Sequence, residues 1–507
     1  MDFPKTVESY LGQKGYTILK KDLTLAQLNK IKSDLTVKPY VPGAPNSQIT
    51  FPVYRESVQK LYVPHHYGKE MMGLPREYKI SQGNDIEVKF HGELRDYQIP
   101  VVNKYVTVVK NGANIPLGKG AAGGLLELPC AYGKTVLSLN IISQLKKKTL
   151  VIVHKEFLMN QWIERIQQFL PNARVGKIQG SVVDIENKDI VLGMLQSISM
   201  KEYPAELFEC FGFTIIDEVH HISSQTFSNA LFKIVTKYML GLSATMNRKD
   251  GTTKIFKMFL GDVIFKGKRD ERNVEVRAIE YHVNDDSFNH VATDYRGNPA
   301  YSTMISKLCE YNRRSDFILK VLSDMLIENP QQQIMILAHN KNVLKYLYDA
   351  IEHRNIASVG YYLGGMKESA LKISETKKII IATYAMASEA LDIKTLTTLV
   401  MVTPKTDIQQ SVGRILRDKD NQPVVVDIVD NHDLFKNQWK KRKTFYRKEN
   451  YKIIYTTSDS YTSDTQKWKL INQPFIDSDN ECHPAQNITE RSAIESIFTG
   501  KCFLKIK

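Results

Sequence analysis

Short apolar runs alternate with amphipathic helical stretches between residues 123 and 430, and this alternation occurs twice. Apolar, β-branched runs of this length are typical of strands that are buried on both faces of a parallel sheet. Strands that alternate with helices form βαβ units. The chain is therefore predicted to be α/β, with two doubly wound parallel-sheet domains in tandem. The strand-like runs lie at residues 125–128, 149–154, 190–195, 214–217 and 239–242 in the first block, and at 334–338, 378–383, 397–402 and 424–429 in the second.

Less regular regions surround the two blocks. A chain of 507 residues is too long to fold around a single hydrophobic core, and its length favours roughly three domains. The region before residue 91 carries no motif, and the region beyond about 453 is rich in Ser, Thr and Asp. The predicted division is an N-terminal accessory region (1–90), a first domain (91–267), a linker or insertion (268–320), a second domain (321–452) and a C-terminal extension (453–507).

The composition and the N-terminal sequence argue against a membrane-spanning protein and against a secreted one. Hydrophobic residues make up 42% of the chain and charged residues 24%, which is ordinary for a globular protein. No apolar run approaches the roughly 18 residues of a membrane span, and the N-terminus lacks the features of a signal peptide. The five cysteines are scattered and have no metal-ligand spacing. We therefore expect a protein of a reducing compartment with no membrane partner.

The charge of the chain predicts a polyanionic partner such as nucleic acid, since the net charge is +14 and the pI is near 9.2. Lysines and arginines are concentrated between Lys436 and Lys452, and aromatic residues interleave with them. Two interpretations stay open. In the first, the basic side chains pair with phosphates while the aromatic rings stack on bases. In the second, this is a solvated basic helix whose aromatic residues, Trp439, Phe445, Tyr446 and Tyr451, face the protein.

The segment 213–220, FTIIDEVH, runs from strand-forming residues into two carboxylates and a histidine. A buried parallel strand here delivers Asp217 and Glu218 to its C-terminal edge, where ligands of open α/β sheets bind. One carboxylate at such an edge can hold Mg²⁺ through water while its neighbour accepts a proton from an attacking water. The alternative is a solvated strand end that carries acids by chance.

The segment 129–135, PCAYGKT, follows a strand-like run and opens a helical one, which is the context of a phosphate-binding loop. Backbone N–H groups at a helix N-terminus cradle phosphate groups. Lys134 is then placed to reach the β- and γ-phosphates, and the Thr135 hydroxyl to ligate Mg²⁺. The full pattern begins with a glycine at the position where this chain has Leu128. The placement between strand and helix still predicts ATP and Mg²⁺ as cofactors.

Three polar residues in the second block have helical spacing. Gln410, Arg414 and Arg417 stand at i, i+4 and i+7, so a continuous helix presents all three on one face. Two guanidinium groups presented together suit phosphate oxygens and the charge that develops in phosphoryl transfer. The alternative is a basic stripe on a surface helix, which is the usual explanation for such spacing.

In order and spacing, these motifs resemble those of superfamily-two helicases, over residues 91 to 430. Segments 241–251 and 427–439 resemble the branch that contains the DNA translocase XPB more than the DEAD-box RNA helicases. Within that branch the chain is similar to helicases of large cytoplasmic DNA viruses, including the poxvirus transcript-release helicase and the helicase of African swine fever virus. The segments that carry the resemblance are 94–98, 129–135, 153–162, 193–197, 217–220, 243–245, 387–392 and 410–417.

The resemblance implies two RecA-like domains, with ATP in the cleft between them and nucleic acid across another face. ATP-binding residues are then Arg95, Tyr97, Gln98 (at the adenine edge), Cys130, Ala131, Tyr132, Gly133, Lys134, Thr135 and Asp392, with Thr135 and Asp217 at Mg²⁺. Hydrolysis is assigned to Glu218, Asp217, Lys134, Arg414, Arg417 and Gln410. Coupling between hydrolysis and movement is assigned to His220, Ser243 and Thr245, and nucleic-acid contact to Lys155, Gln161, Trp162, Gln196, Ser197 and Arg248.

The expected function is an ATP-dependent helicase or translocase that hydrolyses ATP, favours DNA, moves 3′ to 5′ and acts in viral transcription, including transcript release. DNA, RNA and the viral RNA polymerase machinery are the expected partners, and the host cytoplasm (the viral factory) and the virion are the expected locations. One alternative is an RNA helicase. Another is a nucleic-acid-stimulated remodeller or a binding module with little unwinding, which is favoured by Ala131 and Ala390 at positions where the family usually has glycine.

Overall fold

The computed structural model describes residues 8–39, 50–114, 120–129, 132–221, 224–246, 253–267, 273–389, 393–416 and 421–474. Within these ranges the strands form a five-stranded sheet, two eight-stranded sheets and a two-stranded ribbon. The two large sheets are built mainly from parallel strands, so the prediction of two tandem α/β domains is confirmed. No helix in these ranges is long and apolar enough to cross a membrane.

The N-terminal region forms the five-stranded sheet, whose strand order is β5-β6-β2-β1-β7. Its elements are β1 Ser9–Gly12, β2 Gly15–Leu19, α1 Leu25–Asp34, β3 Thr36–Val37, β4 Phe51–Pro52, β5 Arg55–Glu56, β6 Lys60–Val63, α2 His65–Met72 and β7 Glu77–Tyr78. Ile18 and Leu61 of this sheet belong to the same buried cluster as Phe227 and Phe259, which lie further along the chain. A shared apolar core therefore fixes this region against the domain that follows.

The first large sheet has the strand order β11-β10-β12-β9-β13-β14-β8-β15. The elements of this domain are α3 Ile99–Ala113, β8 Ala122–Glu127, α4 Lys134–Leu145, β9 Thr149–Val153, α5 Glu156–Phe169, β10 Val175–Gln179, β11 Val182–Asp184, β12 Ile190–Met194, α6 Leu195–Met200, β13 Phe213–Ile216, α7 Ser224–Leu231, β14 Tyr238–Ser243, α8 Thr253–Leu260 and β15 Val263–Lys266. Every residue of β9, β13 and β14 is buried, as expected for central parallel strands. Because β8, β14, β13 and β9 are neighbours, the loops that follow them meet at one edge.

The second large sheet has the strand order β18-β19-β17-β20-β21-β16-β22-β23, with only the last pair antiparallel among the described strands. Its domain contains β16 Glu275–Tyr281, α9 Asp286–Asn289, α10 Tyr301–Glu310, α11 Asn312–Glu328, β17 Gln333–Ala338, α12 Lys341–His353, β18 Val359–Tyr362, α13 Glu368–Glu375, β19 Ile379–Thr383, α14 Tyr384–Glu389, β20 Leu396–Met401, α15 Gln409–Val412, β21 Val424–Asp430, α16 Asp433–Lys448, β22 Lys452–Thr457 and β23 Lys469–Asn472.

Two predicted domain boundaries are corrected by this sheet. β16, Glu275–Tyr281, lies between β21 and β22, so this part of the predicted linker belongs to the second sheet, and the sheet continues past residue 453. Charged residues hide β16 in the sequence: Glu275 accepts hydrogen bonds from Arg277 and Lys452, and Arg277 also pairs with Glu328. Ion pairing inside the fold allows these charges in a strand that is buried almost throughout. Residues 475–507 of the predicted C-terminal extension lie outside the described ranges.

Helix α16 decides between the two interpretations of the basic segment. Its aromatic residues face the interior, since Trp439 is 8% exposed and Tyr446 is fully buried. Arg442 is buried as well and forms a two-pronged ion pair with Asp427, at 2.7 and 2.8 Å. Base stacking on the rings of Trp439 and Tyr446 is therefore excluded in this fold, whereas Phe445 is half-buried. The exposed face of the helix carries Lys440, Lys441, Arg447 and Lys448, for which phosphate binding stays a prediction.

Candidate active site

The last residue of the loop between β8 and α4, Gly133, has a backbone conformation that fits the predicted phosphate-binding loop. Gly133 caps α4 with φ 82° and ψ 36°, a left-handed conformation that favours glycine. A Cβ atom at this position would lie 2.3 Å from Nε2 of Gln98. Glycine is thus favoured for two reasons, and the N–H groups of the first turn of α4 are left at the sheet edge as a candidate anion site. Cys130 and Ala131 of this loop lie outside the described residues.

Gln98 holds the loop from the side of α3. Its Nε2 donates to the carbonyl of Tyr132 at 2.8 Å, and its Oε1 accepts from the backbone N–H of Arg95 at 3.0 Å. Its side chain is buried, and the rings of Tyr97 and Tyr132 pack edge to face beside it, with their centroids 4.7 Å apart. Arg95 in turn donates to the Tyr97 hydroxyl at 2.7 Å. The residues predicted for the adenine side therefore form one cluster, and Gln98 additionally positions the loop.

The two carboxylates stand at the C-terminal end of β13, as predicted. Asp217 is 6% exposed, and burial together with the neighbouring charge of Glu218 raises the pKa of its carboxyl to about 6. Its two oxygens each accept a hydrogen bond: Oδ1 from the backbone N–H of Glu218 and Oδ2 from the indole of Trp162, both at 2.9 Å. Glu218 has a positive φ of 49°, which is uncommon for a residue with a side chain and recurs at functional sites.

Lys134 joins the phosphate loop to the acidic pair. Its Nζ lies 2.7 Å from Oε1 of Glu218, and both side chains are largely shielded from solvent. The ammonium group of Lys134, the first residue of α4, is therefore ion-paired with the proposed general base. The arrangement brings together the groups predicted to bind phosphate and to accept a proton, which lie 84 residues apart in the sequence.

His220 lies between the acidic pair and the second domain. Its Nδ1 is 3.3 Å from Oε2 of Glu218 and 2.8 Å from the hydroxyl of Ser243. Its Nε2 is 2.7 Å from Nε2 of Gln410, which belongs to α15 of the second domain. With the Gln410 amide nitrogen as donor, His220 Nε2 accepts and the ring proton is on Nδ1. The Ser243 hydroxyl donates to the carbonyl of Thr245, so the three predicted coupling residues form one network.

The predicted helix that carries Gln410, Arg414 and Arg417 is shorter than expected. α15 covers only residues 409–412, and residues 413–416 form a 3-10 turn. The tighter turn does not keep the spacing of an α-helical face, because a 3-10 helix has about 3.0 residues per turn. Arg414 donates through Nε to the carbonyl of Ala387 at 2.9 Å. Arg417, Asp392 and Ala390 lie outside the described residues.

The described residues that were predicted to contact nucleic acid follow two neighbouring strands, β9 and β12. Gln196 donates to the carbonyl of His154 at 3.0 Å, so the two strand ends are tied together. Ser197 accepts from the backbone N–H of Gly180 at 2.9 Å, and Lys155 is exposed beside α5. Gln161 is half-buried on α5, and Arg248 lies outside the described residues.

The prediction that Trp162 contacts nucleic acid is wrong. Its side chain is 1% exposed and points into the core of the first domain, so it offers no surface to a nucleic-acid strand. The spacing along α5 contained this signal, because Leu158, Trp162 and Ile166 stand at i, i+4 and i+8 and all are buried. What the sequence could not indicate is that the buried indole donates to Asp217.

Helix α5 also contacts the second domain, which no motif in the sequence indicated. The Asn160 amide donates to Glu368 at 3.2 Å, and Glu164 lies 3.5 Å from Lys372. Phe157 packs against the buried cluster of the second domain. These contacts between α5 and α13 form a second link between the domains, besides the pair of His220 and Gln410.

The residues at this edge fit magnesium and a nucleotide. Among the described residues no group of three or more His, Cys, Asp or Glu side chains could hold a metal ion. Magnesium in phosphate-transferring enzymes is typically held by one or two carboxylates plus phosphates and water, so a cage is not expected. The buried Asp217 carboxylate, together with the hydroxyl of Thr135 at the start of α4, offers that donor set.

Comparisons with known proteins identify the family of the chain. Residues 91–248 match the family described as "Type III restriction enzyme, res subunit". Over 479 residues the chain is 34% identical to "Putative ATP-dependent RNA helicase L396" of Acanthamoeba polyphaga mimivirus, with 91% of this chain and 90% of that protein covered. Over 387 residues it is 28% identical to "Putative ATP-dependent RNA helicase QP509L" of African swine fever virus (isolate Pig/Kenya/KEN-50/1950), with 70% and 74% covered.

A solved structure has the same fold. It is described as "The fragment structure of a putative HsdR subunit of a type I restriction enzyme from Vibrio vulnificus YJ016", and it superposes with a TM-score of 0.51 at 16% sequence identity. The superposition covers 73% of this chain and 70% of that one. At this identity the similarity concerns the fold alone, and it supports two tandem parallel-sheet domains.

Proposed function

The chain belongs to the viral ATP-dependent helicases of superfamily two, and from that premise we propose that it translocates on DNA in viral transcription. One observation carries the mechanism of this proposal. A continuous series of polar contacts runs from Lys134 through Glu218 and His220 to Gln410, at 2.7, 3.3 and 2.7 Å. It begins at the phosphate loop of the first domain and ends on the second domain.

In this mechanism each residue has a chemical task. Lys134 and the N–H groups of α4 bind phosphate, and Glu218 accepts the proton of the attacking water. Asp217 and Thr135 would hold Mg²⁺, which supplies charge neutralisation on the phosphates when bound. Because Lys134 and Glu218 contact each other, phosphate binding at Lys134 changes the charge beside the general base.

His220 is proposed to transmit this change to the second domain. Its two ring nitrogens have different partners, Glu218 and Ser243 on one side and Gln410 on the other. A change in the charge or position of Glu218 therefore alters a contact that crosses the domain cleft. Opening and closing of such a cleft is how two nucleic-acid grips can advance alternately.

DNA as the track, 3′ to 5′ movement, transcript release and an association with the viral RNA polymerase in the host cytoplasm or virion are parts of the proposal. The net charge of +14 and the exposed lysines of α16 support a nucleic-acid partner. The ends of β9 and β12, tied by Gln196, supply polar groups for one strand. RNA is the second candidate, favoured by the names of the mimivirus and African swine fever virus relatives.

ATP hydrolysis measured with single-stranded DNA, duplex DNA and RNA, together with displacement of a partial duplex, tests the proposal. DNA is expected to stimulate hydrolysis more than RNA, and Lys134→Ala is expected to abolish it. Stimulation by RNA alone would replace DNA by RNA as the track. An unchanged rate in Lys134→Ala would show that the loop at Gly133 is not the phosphate site.

A further inference from the structure

Trp162 is a buried residue that the mechanism above does not use, although its indole contacts Asp217, the carboxylate proposed to bind Mg²⁺. We propose that Trp162 is a positioning residue whose indole N–H holds the Asp217 carboxylate in the orientation that binds Mg²⁺. This inference rests on the proposed ATP site, and it assigns a function to a residue of α5 that is buried within the first domain.

The geometry of Asp217 is set by two donors. Oδ2 accepts from the Trp162 Nε1 and Oδ1 from the backbone N–H of Glu218, both at 2.9 Å. With one donor on each oxygen, the plane of the carboxylate is fixed about the side-chain bond. A carboxylate has about four lone-pair sites, so acceptor capacity remains for a metal-bound water.

An indole suits this task better than a smaller donor. Its N–H is donor-only, so it cannot turn an acceptor toward the carboxylate or become a competing ligand for the cation. The rest of the ring is locked in the core, where it belongs to the buried cluster that includes Leu158 and Ile166. A donor that cannot rotate keeps the carboxylate oriented before the metal arrives, and outer partners of this kind typically contribute 10- to 100-fold to metal affinity or activity.

The position of Trp162 on α5 connects this orientation to the rest of the molecule. The same helix begins beside Lys155, which was predicted to contact nucleic acid, and bonds to α13 through Asn160 and Glu164. A helix moves as a unit, so a displacement of α5 by either contact reaches the indole and hence Asp217. The metal-binding carboxylate is thereby anchored to the element that touches the second domain.

Trp162→Phe tests the proposal because it removes the N–H and keeps a buried aromatic ring. Trp468→Phe is a matched control: Trp468 is also buried and donates its Nε1 to the Thr462 carbonyl at 2.9 Å, within the second domain. Binding of Mn²⁺ to the protein with ADP, followed by electron paramagnetic resonance, measures the metal site without turnover. The Mg²⁺ dependence of ATP hydrolysis provides the second measurement.

In Trp162→Phe we expect Mn²⁺ affinity to fall about 10- to 100-fold and the half-saturating Mg²⁺ concentration to rise by a similar factor. The rate at saturating Mg²⁺ should stay close to that of the unmutated protein, because the groups that bind phosphate and accept the proton are intact. If the substitution instead loosened the packing of the domain, the rate of ATP hydrolysis would fall at every Mg²⁺ concentration, including saturation. Trp468→Phe should leave the affinity for Mn²⁺ unchanged.

Unchanged Mn²⁺ affinity in Trp162→Phe, or an equal loss in Trp468→Phe, would overturn the proposal. If Trp162→Phe melts at a much lower temperature than the control, the isostere 3-benzothienylalanine at this position, in which sulfur replaces the N–H, takes its place in the same two measurements. An unmutated protein that hydrolyses no ATP would contradict the proposed function, whereas Mn²⁺ affinity would still decide the role of Trp162.

Discussion

Gly133→Ala is expected to weaken nucleotide binding by about 30- to 150-fold, from two separate costs. The left-handed conformation of Gly133 costs roughly 1–2 kcal/mol for a residue with a Cβ. That Cβ would also stand 2.3 Å from Nε2 of Gln98, so the amide must leave the carbonyl of Tyr132. Losing that hydrogen bond costs about 1 kcal/mol more. Together the costs are about 2–3 kcal/mol, where each 1.4 kcal/mol is a factor of ten.

The two costs can be separated by a double mutant. In a Gln98→Ala background there is no amide to displace, so Gly133→Ala should weaken binding only about 5- to 30-fold, the part due to backbone conformation. Titration with a fluorescent ADP measures each affinity. Gly365→Ala is the control, since Gly365 also has a positive φ, of 89°, and a Cβ atom added there would meet nothing within 4 Å. Equal costs of Gly133→Ala in both backgrounds would refute the reasoning about Gln98, and full affinity in the single variant would refute the role of the loop.

Two further predictions concern coupling and nucleic-acid binding. Gln410→Ala removes the contact to His220 across the cleft. A neutral hydrogen bond contributes about 0.5–1.5 kcal/mol, so the number of strands displaced per ATP hydrolysed should fall roughly 2- to 10-fold. Hydrolysis itself should persist. An equal fall in both rates would place Gln410 in the chemistry instead. Charge reversal of Lys440 and Lys441 should reduce the slope of log K against log salt for single-stranded DNA by about 0.7 for each lost phosphate contact. Reversal of the exposed Lys21 is the control, and an unchanged slope would mean that this face of α16 is merely solvated.

The parts of the fold that the sequence predicted are those with a simple hydrophobic signal. β9 and β13 are short apolar runs whose residues are all buried, and both were placed correctly. β16 was missed because Glu275 and Arg277 interrupt its apolar residues, and only the fold supplies their partners, Lys452 and Glu328. A strand that carries paired charges looks irregular in sequence. The linker was predicted wrongly because the partners of these charges are found only in the tertiary structure.

The site divides in the same way. The types of residue at the ATP site follow from local chemistry, since each motif carries its own carboxylates, lysine or glycine. The contacts among motifs do not, because Lys134 and Glu218 are 84 residues apart and His220 and Gln410 are 190 apart. The family resemblance groups these residues at one site, but spacing within a motif does not give the atoms that meet across such separations. Gln98 shows the consequence: the family resemblance implied a contact with adenine, whereas its amide also supports the loop at Tyr132.

Trp162 shows where a closer use of periodicity changes the assignment of a function. Its neighbour Lys155 lies at the exposed start of α5, and a motif-based interpretation groups the two as contacts of one nucleic-acid strand. The apolar stripe of an amphipathic helix faces the core, and Trp162 stands on that stripe between Leu158 and Ile166. A buried indole needs an acceptor for its N–H, since an unpaired buried donor is costly. In this fold the acceptor is Oδ2 of Asp217, a partner that periodicity alone does not identify.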